Sequence, residues 1–172
     1  MQALTGATAE KGVAVKLLIL DLDQTLWNHP DISQATPPFR PLGQGTAVDA
    51  TGTLVKLREC AEELLLHAKR SGIKLAVASW NWREPAAAAL DVLGLTAYFD
   101  AVVIEPHPRK EEMIKKILKT LGVKPEEALF VDDNEIIVRR VRRYLPELRT
   151  LRYGFEVSSL CELLEKLKAG EL

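Results

Sequence analysis

The sequence predicts an α/β fold: a Rossmann-like, doubly wound parallel sheet carrying a small β-hairpin flap after its first strand and no large cap domain. Three observations predict it. Short apolar runs alternate along the chain with segments of helical period, the signature of strands joined by helical crossovers. Several of these runs end abruptly on a polar or acidic residue, as strands do at the ligand edge of such sheets. The one stretch that interrupts the alternation, residues 28–57, is polar and Pro-rich at first and then alternates as a hairpin does.

The elements follow in order. Residues 1–14 read as a loose leader of small and polar residues. Val15–Leu20 is a buried parallel strand that stops at Asp21. Thr46–Leu57 holds two short alternating segments around Asp49-Ala-Thr-Gly52, with Gly52 allowing the turn. Arg58–Arg70 has helical period, with Cys60, Leu64, Leu65 and Ala68 on one face, and ends at Ser71-Gly72. Ile73–Ala78 is a strand ending at Ser79, Glu84–Leu93 an Ala-rich helix and Ala101–Ile104 a short strand. Arg109–Leu121 is amphipathic and stops at Gly122. Ala128–Val131 is a strand broken by Asp132-Asp133, followed by a helix over Glu135–Tyr144. Arg149–Arg152 is the last strand, and Ser158–Lys168 the last helix, with Ser158 as its N-cap.

Composition narrows the function. The 172 residues suit one domain, and 47% apolar content is that of a globular chain. The 23 Lys and Arg nearly balance the 24 Asp and Glu, so net charge of −1 directs the chain to neither nucleic acid nor membrane. The run Arg139, Arg140, Arg142, Arg143 reads as the solvent side of a helix whose Ile137, Val138, Val141 and Tyr144 point inward. No uncharged apolar run approaches the ~18 residues of a membrane span, and Glu10 and Lys11 argue against a signal peptide. Cys60 and Cys161 lack metal-ligand spacing and are expected to be reduced and buried in a cytoplasmic protein.

Chemistry is expected at the strand tips. Asp21 follows the first strand directly, where a carboxylate can attack phosphorus and form an acyl-phosphate. Asp23, two residues on, points the same way in extended chain and suits general acid–base work, and Thr25 can tie the loop together. Ser79, with the backbone N–H of Trp80, can hold a phosphoryl oxygen. Lys110 can neutralise phosphate and nucleophile together, with Arg109 a competitor for the role. Asp132-Asp133 crowds like charges at a strand tip, a cost that a bound divalent cation removes. Trp27, Trp80 and Trp82 flank these positions and suit either a substrate entrance or packing. His29 reads as an exposed loop histidine. Trp27, His29 and Phe39 are nonetheless candidate flap contacts for substrate.

Taken together, Asp21-Leu-Asp23-Gln-Thr25, Ser79, Lys110 and Asp132-Asp133 resemble, in order, the four motifs of the haloacid dehalogenase superfamily. Within it, Leu20-Asp-Leu-Asp-Gln-Thr-Leu-Trp27, Ala78-Ser-Trp80-Asn81, Ile104-Glu-Pro-His-Pro-Arg-Lys110 and Phe130-Val-Asp-Asp-Asn134 resemble the magnesium-dependent phosphatase-1 group and its archaeal relatives. The resemblance implies a phosphomonoesterase acting on a phosphorylated small molecule or phosphoprotein. It makes Asp21 nucleophile and magnesium ligand, and Asp23 acid/base with its backbone carbonyl on the metal. Ser79 and Lys110 bind phosphoryl oxygens. Asp133 is the carboxylate ligand of the fourth motif, with Asp132 holding Lys110 or a metal-bound water. Phe130-Val-Asp-Asp-Asn-Glu and Leu145-Pro-Glu-Leu148 also resemble the branch that loads a glyceryl group onto a carrier protein. A catalytically silent binding module is the third alternative, against which the intact acids argue.

Overall fold

The computed structural model describes residues 13–172, so most of the expected leader lies outside the described residues. In chain order the elements are β1 (Leu17–Leu20), β2 (Trp27–Asn28), a 3-10 turn (Ile32–Gln34), β3 (Arg40–Gly43), β4 (Thr46–Val48), β5 (Leu54–Leu57), α1 (Ala61–Arg70) and β6 (Lys74–Trp80). There follow α2 (Arg83–Val92), β7 (Ala101–Glu105), α3 (Lys110–Leu121), β8 (Ala128–Asp132), α4 (Glu135–Tyr144), β9 (Arg149–Arg152) and α5 (Leu160–Lys168).

Five strands form one parallel sheet in the order β7-β6-β1-β8-β9. β1 is central and all four of its residues are buried, because both faces of the sheet are covered. The pleat sends Leu18 and Leu20 to a core shared with α1, α2 and α5, and Leu17 and Ile19 to a second core under α3 and α4. Burying each such side chain contributes roughly 1.5–3 kcal/mol, as an upper estimate. The continuous apolar run is therefore a requirement of two-sided burial. The chain runs from β1 outward through β6 to β7, then crosses back to β8 on the other side of β1. The order reverses between β1 and β8, and the crevice beyond their carboxyl ends is where this topology places ligands.

Several expectations are corrected. The flap is more than a hairpin: β4 and β5 pair as expected, but β2 and β3 join them in a four-stranded antiparallel sheet, β2-β5-β4-β3. β3 escaped the reading because all its residues are exposed and it contains Pro41 and Gly43, so it carries no alternation. Gly45, at φ +70°, needs its missing side chain, since a Cβ there would lie 3.3 Å from Leu57. The last helix is capped by Ser159, whose hydroxyl accepts from the Glu162 N–H. Tyr144 is half exposed beneath the guanidiniums of Arg140 and Arg143, and the buried residue is Leu145, which caps the end of α4. Arg140 is no solvent arginine either, since it clasps the buried carboxylate of Glu111. His29 is buried, its Nδ1 accepting from the Asp31 N–H. Trp27 is fully buried, and Phe39 is partly buried against the core; neither is among the residues that line the cavity described below.

The cysteines are also corrected. Cys60 and Cys161 form a disulfide across a separation of 101 residues. Cys60 precedes α1 and Cys161 lies on α5, two helices that pack together on one face of the sheet. Spacing along the chain carries no trace of that adjacency. Closing so long a loop restricts the unfolded chain and stabilises the fold by roughly 2–5 kcal/mol. Reduction, or Cys161→Ala, should lower Tm by roughly 5–15 °C. Thiol titration of the denatured, unreduced protein should find no free thiol, and two would overturn the assignment.

Asp49 organises the flap turn. Its carboxylate accepts from the backbone N–H groups of Thr36, Thr51 and Thr53 and from the Thr51 hydroxyl. The Thr36 N–H heads the hydrogen bonds that hold this carboxyl down to about 2. A depressed acid stabilises the fold fully above its unfolded value of about 3.9, and the contribution is lost as pH falls through the folded value. Amide exchange at Thr51 and Thr53 should thus accelerate, beyond its intrinsic pH dependence, only between about pH 4 and pH 2. Asp49→Ala should show fast exchange at neutral pH already. A flap equally protected in both proteins would refute this role.

Candidate active site

The reversal point between β1 and β8 is where the acidic residues gather. Asp21 leaves the end of β1, with its N–H bonded to the Val131 carbonyl of β8, and Asp132 is the last residue of β8. Gln24, at φ 58°, turns the loop back on itself. That turn brings the buried Thr25 hydroxyl to Asp21 Oδ2 at 3.2 Å and to Asp133 Oδ1 at 3.4 Å. One hydroxyl hydrogen thus serves two carboxylates. Arg58 locks the turn by donating from Nη2 to the Gln24 carbonyl and to its Oε1. Sequence reasoning missed Arg58, because its role depends on a contact across 34 residues.

Between the two strand tips stands Lys110, on the first turn of α3 and only 2% exposed. Its ammonium donates to Asp21 Oδ1 at 2.8 Å, to Asp132 Oδ2 at 2.9 Å and to the Ala78 carbonyl at 2.7 Å. Those three acceptors use all three of its hydrogens. Burial alone would push the ammonium's pKa down, but the charges of Asp132 and Asp21 outweigh burial and raise it. Arg109, the competitor, pairs with Glu112 at the surface.

Three carboxylates face this one ammonium, and all three titrate high. Burial raises Asp21 to about 7, against the pull of Lys110 and with the help of the Asp133 charge. Burial raises Asp132 as well, with the Asp21 charge adding to it, and burial raises Asp133, with Asp132 adding. Asp132 has both oxygens engaged, one by Lys110 and one by the Asn134 N–H. Ligand atoms of Asp21, Asp132 and Asp133 lie within 4.8 Å of one another. Buried, uncompensated negative charge on hard oxygen donors fits a hard divalent cation.

Asp23 is held differently. Its Oδ1 accepts from Trp27 Nε1 at 2.8 Å, the Ile32 N–H reaches both its oxygens at 3.1 Å, and Asn81 Nδ2 donates to Oδ2 at 2.9 Å. Trp27 and Ile32 belong to the root of the flap, so the flap grips the side chain expected to do acid–base work. Ser79 is buried and its hydroxyl accepts from Asn81 Nδ2 at 3.2 Å.

An open cavity of about 480 Å³ lies above these groups. Asp21, Asp23, Lys110, Asp132 and Asp133 reach its lining, whereas Thr25 and Ser79 are buried next to lining residues and do not themselves line it. Trp80 and Trp82, 51% and 63% exposed, form an apolar side of it. From the flap side the lining comes from Pro30, Asp31 and Ser33.

Three comparisons bear on this site. The sequence model described as Acid Phosphatase matches residues 14–148. Pyrophosphatase PpaX of Bacillus cereus (strain AH820) is 35% identical over 88 residues, which are 47% of this chain and 39% of that protein. The chain thus spans well under half the length of the curated relatives it matches. Among solved structures, a HAD-superfamily hydrolase from Ehrlichia chaffeensis superposes with a TM-score of 0.66 at 13% identity, over 93% of this chain and 99% of that one. The N-terminal part of BF1531 from Bacteroides fragilis, containing a phosphatase domain complexed with Mg, superposes with a TM-score of 0.63 at 23% identity, over 88% of this chain and 40% of that one. These likenesses establish the fold, which is that of haloacid dehalogenase-superfamily hydrolases, and the match over residues 14–148 establishes the lineage: the chain belongs to the Acid Phosphatase family.

Proposed function

We propose that the chain is a magnesium-dependent phosphohydrolase that cleaves a phosphate monoester through an aspartyl-phosphate on Asp21. One observation carries the reading: a buried carboxylate at the central strand tip, locked to a buried ammonium, opens onto a cavity at the topological switch point. In the proposed reaction an Asp21 oxygen attacks phosphorus, and the bond from phosphorus to the leaving oxygen breaks. Asp23 gives its proton to that oxygen, then takes one from a water that attacks the acyl-phosphate and releases orthophosphate. Lys110 keeps Asp21 oriented and offsets the charge gathered at phosphorus. Its hydrogens are all engaged by the protein, so its effect on substrate is Coulombic unless Asp21 Oδ1 yields its place. The Trp80 N–H, and the buried Ser79 hydroxyl once a phosphoryl oxygen reaches down between Trp80 and Asn81, complete the phosphoryl pocket.

Asp21, Asp133 and the backbone carbonyl of Asp23 are the groups suited to hold magnesium, with Asp132 given over to Lys110. When bound, the ion neutralises phosphoryl and carboxylate charge, which favours the ionised form of Asp21. Substrate class follows from the walls and the relatives. An open cavity flanked by Trp80 and Trp82 suits a small phosphorylated molecule with a flat or ring-bearing body. The relative named for pyrophosphate supports a small-molecule substrate. Higher kcat/KM on phosphopeptides than on phosphorylated metabolites would redirect the reading to a phosphoprotein.

Two outcomes test the chemistry. Asp21→Asn, nearly isosteric, should lower kcat on an aryl phosphate by at least ~10³-fold while the circular dichroism spectrum stays native. A variant with near wild-type kcat would sink the nucleophile assignment. Excess chelator should abolish turnover and magnesium should restore it, whereas calcium, with its looser and larger oxygen shell, should inhibit. Undiminished turnover in chelator would refute the metal requirement.

A further inference from the structure

Asn81 stands between two exposed tryptophans yet is itself 4% exposed. Its backbone N–H donates to the Glu105 carbonyl at 3.0 Å, fixing the residue just beyond the end of β6. Its amide nitrogen donates to Asp23 Oδ2 at 2.9 Å and to Ser79 Oγ at 3.2 Å, which uses both amide hydrogens. Among the described residues its buried Oδ1 has no hydrogen-bond partner. Native structures rarely leave a buried acceptor unpaired. Reversing the amide would set Oδ1 against the Asp23 carboxylate, so the orphan is the consequence of a demand for two donors on the other side.

We propose that Asn81 is a positioning residue that couples Asp23 to Ser79, aiming the acid/base carboxylate and the phosphoryl-binding hydroxyl through one amide; this rests on the phosphatase reading above. For Ser79 the argument is one of hydrogen count. Its oxygen accepts from Asn81, so its single hydrogen stays free for another acceptor, and a phosphoryl oxygen is the acceptor the site would supply. For Asp23 the argument is one of origin. Trp27 and Ile32 hold it from the flap root, and Asn81 is its one partner from the end of a sheet strand. Without Asn81 the carboxylate would follow the flap alone. The motif reading includes Asn81 in the segment Ala78-Ser-Trp80-Asn81 but gives it no role.

The test compares wild type, Asn81→Ala and Asn81→Asp as full-length, magnesium-loaded proteins. Asn81→Asp keeps the shape and removes the amide donor. Three readouts are taken: Tm, kcat and KM on an activated aryl phosphate and on an alkyl phosphate, and the Kd of inorganic phosphate by calorimetry. The expected result is a folded Asn81→Ala protein whose kcat on the alkyl phosphate falls by roughly 100-fold, and by several-fold less on the aryl phosphate, whose leaving group needs little protonation. The Kd for inorganic phosphate should rise roughly tenfold. Asn81→Asp should restore neither, and it stands in should Asn81→Ala fail to fold. Equal fractional losses on both esters with unchanged phosphate binding would overturn the proposal and leave Asn81 a packing residue. Failure of the phosphatase reading is separately visible, as a wild-type protein that cleaves neither ester or an active Asp21→Asn. In that case phosphate binding alone decides the Ser79 half: a Kd unmoved by Asn81→Ala overturns it, and a weakened one supports it.

Discussion

The site depends on a single buried ammonium. Lys110 joins the tip of β1, through Asp21, to the tip of β8, through Asp132, and caps a carbonyl of β6 on the way. These are the three central strands of the sheet. Removing one partner of such a buried pair leaves a charge without an answer, a loss of about 3–5 kcal/mol. Lys110 is thus as much a keystone of the sheet edge as a chemical group. Its full set of acceptors explains how so many carboxylates can be buried together. Asp132 is spent on holding the lysine, which leaves Asp21 and Asp133 as the oxygens with something still to bind.

A second division runs between sheet and flap. The sheet supplies the charges, and the flap root supplies the grip on Asp23 through Trp27 and Ile32. Trp27 is therefore a core residue with a polar handle turned to the site, the usual compromise for a buried indole. The base of the flap orients a chemical group, while its outer strands, with Leu42 and Leu54 exposed, do not line the cavity.

Much of this was legible in the sequence where physics is local. Apolar runs buried on both faces reveal β1, β6 and β8 as central strands, and the acids that end two of those runs reveal the ligand edge. The helix over Glu135–Tyr144 and the strand over Arg149–Arg152 lie where periodicity puts them. What escaped has a common cause in contacts distant along the chain. β3 pairs as a strand with no buried face of its own, and Arg58 reaches back to Gln24. His29 is buried by a fold of the flap root that its polar neighbours conceal, and the two cysteines meet because α1 and α5 share a face. Asn81 was within a recognised segment, but its role depends on reaching Asp23, 58 residues earlier in the chain.

The disulfide makes the chain a covalent ring with a tail at each end, the C-terminal one being most of α5. Cys60 and Cys161 close a ring that contains β6, β7, β8 and β9, with Ser79, Asn81, Lys110, Asp132 and Asp133. β1 and the flap, with Asp21, Asp23 and Thr25, lie outside it as a tail joined to the ring at one point. The central strand of the sheet is therefore inserted between two strands of the ring, and noncovalent forces alone hold it there. A single backbone cut in the flap would place the proposed nucleophile on one molecule and its counter-ion on another. The site in this architecture is assembled by docking: the two faces of β1 join the cores of the ring, and the same seating that completes those cores brings Asp21 to Lys110.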